Sequence, residues 1–196
     1  MRILVRRLLA AALLTLAAAA NAGDAALWPE HEARLKDAAR RVEAINANPE
    51  IPRSDADAKA VVEELLAEPH RALTDTALSG DWKVRSLQGG SYGIYTYPWF
   101  KARITNRDGR LFFEKTSGSQ RRSGWLLPPE GGTGDWTFVG GATVNDDPQV
   151  GYSLADGAAS PRESDSVGAV WGIAEERVLM LLDVGDNGYE VYQLKR

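Results

Sequence analysis

Two kinds of hydrophobic pattern divide this chain. Trp28, His31, Leu35, Ala38, Val42 and Ile45 recur at spacings of three and four, so they form one stripe of a helix that Pro29 can begin and Asn48-Pro49 ends. Ala58, Val61, Val62, Leu65 and Leu66 give a second apolar face, with Ser54 as its expected N-cap, Asp57 three residues on, and Pro69 as its stop. Neither helix can bury its stripe alone, so the pair is expected either as an antiparallel hairpin or as an arm clasping the C-terminal part of the chain.

After Leu78 the period changes to two. Phe100, Ala102 and Ile104 point one way and Lys101, Arg103 and Thr105 the other, which is the signature of a half-buried antiparallel strand. Asn106-Arg107-Asp108-Gly109 turns it into a return strand, Arg110 to Lys115, because Gly takes positive φ at no steric cost. Further strands are expected at Trp82 to Leu87, Ile94 to Tyr97, Trp125 to Leu127, Trp136 to Val139, Val150 to Leu154, Val167 to Ile173, Val178 to Val184 and Tyr189 to Leu194, with Val178 to Val184 central because it is nearly all apolar. Short strands at this spacing predict an α+β chain: an N-terminal helical pair, residues 23–78, followed by an antiparallel, barrel-like sheet of eight or nine strands over residues 79–196.

Composition supports this division, since of the 16 aromatic residues only Trp28, and of the 19 glycines only Gly23, precede Gly80. Residues 1–22 read as a signal peptide: Arg2, Arg6 and Arg7 precede an apolar run from Leu8, and Ala20-Asn21-Ala22 fits the cleavage pattern. The expected product starts at Gly23 and is exported, to a bacterial periplasm or beyond, with no later stretch apolar enough to span a membrane. Without residues 1–22 the chain holds 20 basic against 27 acidic residues, a net charge of −7, which argues against nucleic acid as a partner. The absence of cysteine removes disulfides, thiolate metal sites and cysteine nucleophiles together.

Candidate chemistry is sparse. Gly89-Gly90-Ser91-Tyr92-Gly93 fits the G-x-S-x-G elbow of serine hydrolases, but strand-forming residues come after it and both histidines, His31 and His70, lie upstream, so a glycine turn explains it better. His31 sits on the apolar stripe and is expected to be packed, and His70 to contact the end of the second helix. Asp183, Asp186, Asn187 and Gly188 resemble a calcium loop with the wrong spacing, and a hairpin turn accounts for them. No catalytic residue, metal site or cofactor is assigned on these grounds.

The aromatic run Tyr92, Tyr95, Tyr97, Trp99 and Phe100 either fills a core or lines a cavity. The polar stretch Thr116 to Gly124, expected as a loop, offers Ser117, Ser119, Gln120, Arg121 and Arg122 as an anion site, since guanidinium groups pair bidentately with carboxylate or phosphate. The competing explanation lies in the charge pattern: residues 82–122 hold nine basic and two acidic residues, residues 129–196 twelve acidic and four basic, and basic outward faces of the early strands can lie beside acidic faces of the late strands and be neutralised where a barrel closes.

Three segments carry a family resemblance: Gly80-Asp81-Trp82-Lys83-Val84-Arg85, Tyr97-Pro98-Trp99-Phe100-Lys101-Ala102-Arg103-Ile104, and Glu114 through Gly124. Together they resemble a family of exported proteobacterial proteins known as a domain of unknown function, DUF4893, which implies a compartment and a coherent domain and no activity. Gly80-Asp81-Trp82 also resembles the opening of lipocalin-type barrels, which implies that a basic residue near the last strand, Lys195 or Arg196, packs over the tryptophan. The function expected from the whole is a non-enzymatic binding or envelope-accessory module for a small anionic or apolar ligand. A hydrolase whose carboxylates assemble in the β domain, and a structural partner of another envelope protein, are the alternatives.

Overall fold

The computed structural model describes residues 27–52, 54–55 and 57–196. The signal-peptide reading and the start at Gly23 lie outside the described residues. α1 (Pro29–Lys36) and α2 (Ala38–Ala47) form one rod interrupted at Asp37. Next along the chain are α3 (Ala58–Ala67) and a single turn, α4 (Asp75–Leu78). Nine strands come after them: β1 (Gly80–Gly90), β2 (Gly93–Thr96), β3 (Phe100–Arg107), β4 (Arg110–Lys115), β5 (Gln120–Leu127), β6 (Trp136–Val144), β7 (Asp165–Ala174), β8 (Arg177–Leu182) and β9 (Gly188–Lys195). Among the described residues no helix is long and apolar enough to cross a membrane.

Every strand pairs antiparallel with its sequence neighbour from β3 through β9, and β9 returns to β1 in the register Lys83↔Lys195 to Gly90↔Gly188. Eight strands therefore close a barrel. β2 is the extra strand: it pairs with β1 at Leu87↔Thr96, beside the β1–β3 pairing that begins at Val84↔Phe100, so β2 and β3 run along one edge of β1 as two halves of a strand broken at Pro98. The β3–β4 turn places Asp108 at φ 52° and Gly109 at φ 82°, the pair of positive values that a two-residue hairpin turn needs. Where β5 crosses β6, Gly124 faces Gly140, and a Cβ on either would lie about 2 Å from a carbonyl oxygen of the other strand. That contact sets how closely the two strands approach.

Alternation sorts the strands into an inner and an outer face. Inside one half of the barrel Trp82, Val84, Ile104, Phe113, Phe138, Met180 and Leu194 are packed solid, with Leu78 of α4 closing the end. Trp82 is buried, donates from Nε1 to the Leu78 carbonyl at 2.7 Å, and carries the Arg196 guanidinium over its ring at 4.3 Å. Arg196 in turn donates to the carbonyls of Ala77 and Ser79, tying the last residue to the junction of α4 and β1.

The helices lie outside. Ala38, Val42, Ala58, Val62 and Leu65 pack on Leu87, Ile94, Leu179, Leu181, Tyr189 and Val191, the outward residues of the strands beside the β1–β9 seam. β8 is therefore apolar on both faces, since Val178, Met180 and Leu182 fill the barrel while Leu179 and Leu181 lie under the helices. The helical stripe clasps the barrel. Three polar anchors fix the clasp. Tyr189 donates to Asn46 at 2.7 Å. Arg34 and Arg41 flank the buried Asp183 at 3.1 and 3.5 Å. Tyr152 Oη accepts from the Trp28 backbone N–H at 3.0 Å and shares a hydrogen bond with His31 Nδ1 at 2.8 Å. His31 is packed, and its burial, with Arg34 nearby, pushes its pKa below the ordinary value against the pull of Asp165, Asp183 and Glu30.

Four expectations need correction. Ser54 does not cap the second helix: α3 begins at Ala58 after Asp57, and Ser54 bridges to β2 by accepting from Ile94 N–H at 3.2 Å. Val150 to Leu154 is not a strand but part of the β6–β7 connection, where Tyr152 turns inward to meet α1. Gln120 to Gly124 belongs to β5, so the loop is only residues 116–119. His70 stacks on Trp171 at 4.4 Å and bonds Asp135 at 3.0 Å, contacts to the barrel instead of the helix end.

Because Trp82 plugs the packed end, Trp82→Ala should lower unfolding free energy by about 3–5 kcal/mol. Chemical denaturation measures this, and a loss below about 1 kcal/mol would show that the end closes without the indole.

Candidate functional site

In the half of the barrel away from Trp82, the same alternation puts polar side chains inside. β1 continues from Trp82 and Val84 to Ser86 and Gln88. β4 ends on Lys115 after Leu111 and Phe113, and β5 presents Gln120 and Arg122 ahead of Leu126. Ser166 of β7 and Glu190 and Tyr192 of β9 complete the set. A buried polar group costs free energy unless it is bonded, so the network that joins these residues is a condition for the fold.

Glu190 is its hub. Arg122 Nη1 lies 2.6 Å from Glu190 Oε2, while Oε1 accepts from Ser86 Oγ at 2.5 Å and from Gln88 Nε2 at 3.0 Å. Arg122 also donates to Tyr192 Oη at 3.0 Å and from Nε to Ser166 Oγ at 2.9 Å. Gln88 reaches Gln120 Oε1 at 3.1 Å. Lys115 donates to the Gln120 carbonyl and sits 4.4 Å from the Phe100 ring centroid.

These contacts set the electrostatics. Burial works against the Arg122 charge, but Glu190 and Tyr192 outweigh it and hold the pKa above its ordinary value. Burial, joined by Glu190, pushes the Tyr192 phenol up to about 12, with Arg122 acting the other way. Burial pushes the Lys115 ammonium below its ordinary value; Glu190 opposes this and Arg122 and Arg121 add to it.

Gln88, Gln120, Arg122 and Glu190 of this network form the floor of a cavity of about 1160 Å³ that opens at this end of the barrel, with Ser86, Lys115, Ser166 and Tyr192 behind them. Its walls and mouth are Tyr92, Tyr95 and Tyr97 from the β1–β2 hairpin, Val144, Pro148 and Val150 from the β6–β7 side, and Val184 and Tyr189 beside β9. The aromatic run is thus split. Trp99 and Phe100 are half-buried, Trp99 with Lys195 and Arg85 over its ring, and the three tyrosines line the cavity.

Of the seven residues singled out in the sequence, Tyr95, Tyr97, Gln120, Arg121 and Arg122 line this cavity. Ser117 and Ser119 do not: Ser117 Oγ accepts from Lys101 N–H at 2.8 Å, and the Ser119 carbonyl accepts from Asn145 N–H at 2.6 Å, which ties the short loop down. The two arginines are not brought together either, because adjacent strand residues face opposite sides. Arg122 points into the barrel, and Arg121 bonds the Gly118 carbonyl at 3.0 Å and Asp146 at 3.2 Å. The Arg122–Glu190 pair is an early-strand cation neutralised by a late-strand acid, but it lies inside the barrel, whereas the charge pattern led to the expectation of such pairs on outward faces.

Sequence reasoning misses Ser86, Gln88, Lys115, Ser166, Glu190 and Tyr192. Their signal is present as polar residues continuing an inward series that begins apolar, such as Trp82, Val84, Ser86, Gln88. Ser91 is exposed at the β1–β2 turn with a strand after it, and His31 and His70 are engaged elsewhere. Among the described residues no cluster of three or more His, Cys, Asp or Glu is arranged to hold a metal ion.

Removing one partner of a buried ion pair leaves the other uncompensated, so Glu190→Gln should cost about 3 kcal/mol. Adding Arg122→Gln to that variant should restore most of the loss. Denaturant unfolding of the three variants measures the coupling, and additive effects of the two single changes would show that water in the cavity already screens the pair.

No curated protein and no solved structure matches the chain. Residues 24–188, which run from before α1 to the start of β9, match the family described as Domain of unknown function (DUF4893), and the chain belongs to that family.

Proposed function

We propose that this protein is an exported, non-enzymatic binding module of the bacterial envelope that takes a small amphipathic molecule into the open end of its barrel. The observation that carries this reading is the division of the interior. One half is filled by side chains, and the other is left as a cavity of about 1160 Å³ with apolar walls and a polar floor. Ligand sites are typically concave, mostly apolar and furnished with a few placed polar groups, in volumes of roughly 300–1,000 Å³. Export is supported by the leader-like residues 1–22. The closed antiparallel barrel and the Arg196 guanidinium over Trp82 support the likeness to lipocalin-type barrels, which use the same calyx geometry to enclose a ligand.

Binding is favoured over the other two classes by specific contacts. For carboxylate-based hydrolysis Glu190 would have to donate a proton or activate a water, but it is occupied by Arg122, Ser86 and Gln88. For docking on a second envelope protein the helices would have to present their stripes, which are spent on the barrel.

The test uses an uncharged apolar dye, N-phenyl-1-naphthylamine, whose fluorescence rises on entering an apolar site. The protein should bind it with one-site saturation. Ala142→Trp, which places an indole in the cavity wall, should weaken binding by about tenfold or more, equivalent to 1.4 kcal/mol. Absence of saturable binding, or equal binding by that variant, would overturn the reading.

A further inference from the structure

The floor of the cavity is rich in unused donors. A guanidinium has five N–H groups. In Arg122, Nε is taken by Ser166 and Nη1 by Glu190 and Tyr192. Nη2 has no hydrogen-bond partner among the described residues, and it is not among the polar atoms sealed from solvent without one. The Gln120 amide is similar, since its oxygen accepts from Gln88 while its nitrogen bonds nothing described. Both residues line the cavity.

The charges inside the barrel do not cancel. Lys115 and Arg122 face inward against one carboxylate, Glu190, and Lys115 has no carboxylate within ion-pair distance among the described residues. The acids at the rim, Asp147 and Glu163, are exposed, where salt screens charge over roughly 8 Å. The uncompensated charge of Lys115, buried just beneath the floor against the Gln120 carbonyl, is screened much less.

The mouth has the opposite character. Among the described residues the exposed large hydrophobic side chains are Tyr92 (84 %), Tyr97 (39 %), Val144 (53 %) and Val184 (41 %), and all four line this one cavity. A polar floor under an apolar rim is the reverse of what a ligand entering tail first would meet.

Resting on the binding reading above, we infer that the ligand enters head first: an oxyanionic head with a single negative charge seats on Arg122 Nη2 and the Gln120 amide, and its apolar tail leaves between Tyr92, Tyr97, Val144 and Val184. A charged donor on Arg122 Nη2 and a neutral one on the Gln120 amide, both lining the same cavity, suit the oxygens of a carboxylate or phosphate. The one excess positive charge of the floor matches a monoanion, hence a carboxylate, better than a doubly charged phosphate.

The experiment is displacement of N-phenyl-1-naphthylamine by four ligands with one ten-carbon tail: decanoate, decyl phosphate, decanol and decyltrimethylammonium, each below its micelle concentration. Decanoate is expected to bind tightest, by about tenfold over decanol and the ammonium. That preference should fall by about threefold or more in Arg122→Gln/Glu190→Gln, which removes the seating guanidinium together with its partner charge, with dye binding retained. If the double variant does not fold, Gln120→Leu at an exposed position carries the test, and the preference should fall by about threefold or more. Equal binding of all four heads, or a preference that survives the substitutions, overturns the head-first seating while leaving the binding reading intact. A preference for decyl phosphate overturns the single charge. Failure of the dye itself to bind overturns the binding reading, and the seating with it.

Discussion

The register in which β1 meets β9 determines what every other element can do. Lys83↔Lys195 through Gly90↔Gly188 joins residues 112 to 98 positions apart. It sets Trp82 under Arg196 at one end and brings Ser86 and Gln88 against Glu190 at the other. A slip of one residue would turn Ser86 and Gln88 outward, put Leu87 in their place, and leave the Arg122–Glu190 pair without two of its donors. The outer face of the same seam, Leu87, Tyr189 and Val191, is the ground on which α2 and α3 lie. Closure, the polar floor and the helical clasp therefore depend on one pairing.

Local pattern makes the elements legible, and closure makes the site illegible. The β3–β4 hairpin can be read at Asp108-Gly109 because its turn chemistry is contained in two residues. The apolar run of β8 marks a strand buried on both faces. The start of β5 is misjudged because Gln120 and Arg122 are polar, and polar residues at inward positions look like loop until the partner across the barrel is known. The closeness of Glu190 to Arg122, 68 positions away in the chain, is carried by no local signal. A charge asymmetry between the halves of the chain hints at it without naming residues. The tyrosines are visible as an aromatic cluster, and only the position of β2 beside the open mouth decides that they line space instead of filling it.

The barrel holds two energetic regimes. At the Trp82 end apolar side chains are packed and the interior resembles any small-barrel core. At the other end an ion pair, a lysine, two amides and hydroxyls replace them, an arrangement that contributes less stability than the apolar residues it displaces. A chain without disulfides retains such a network at the expense of core packing. The cavity above it is rimmed by exposed tyrosine and valine.

The proposal that the open half of the barrel holds a ligand is tested most directly by native mass spectrometry of the protein purified from the cells that make it, sprayed without an organic wash. The expected result is a population carrying one small molecule of discrete mass, released on denaturation and absent from the Ala142→Trp variant. A single unliganded species, identical for both proteins at every collision energy, would contradict it.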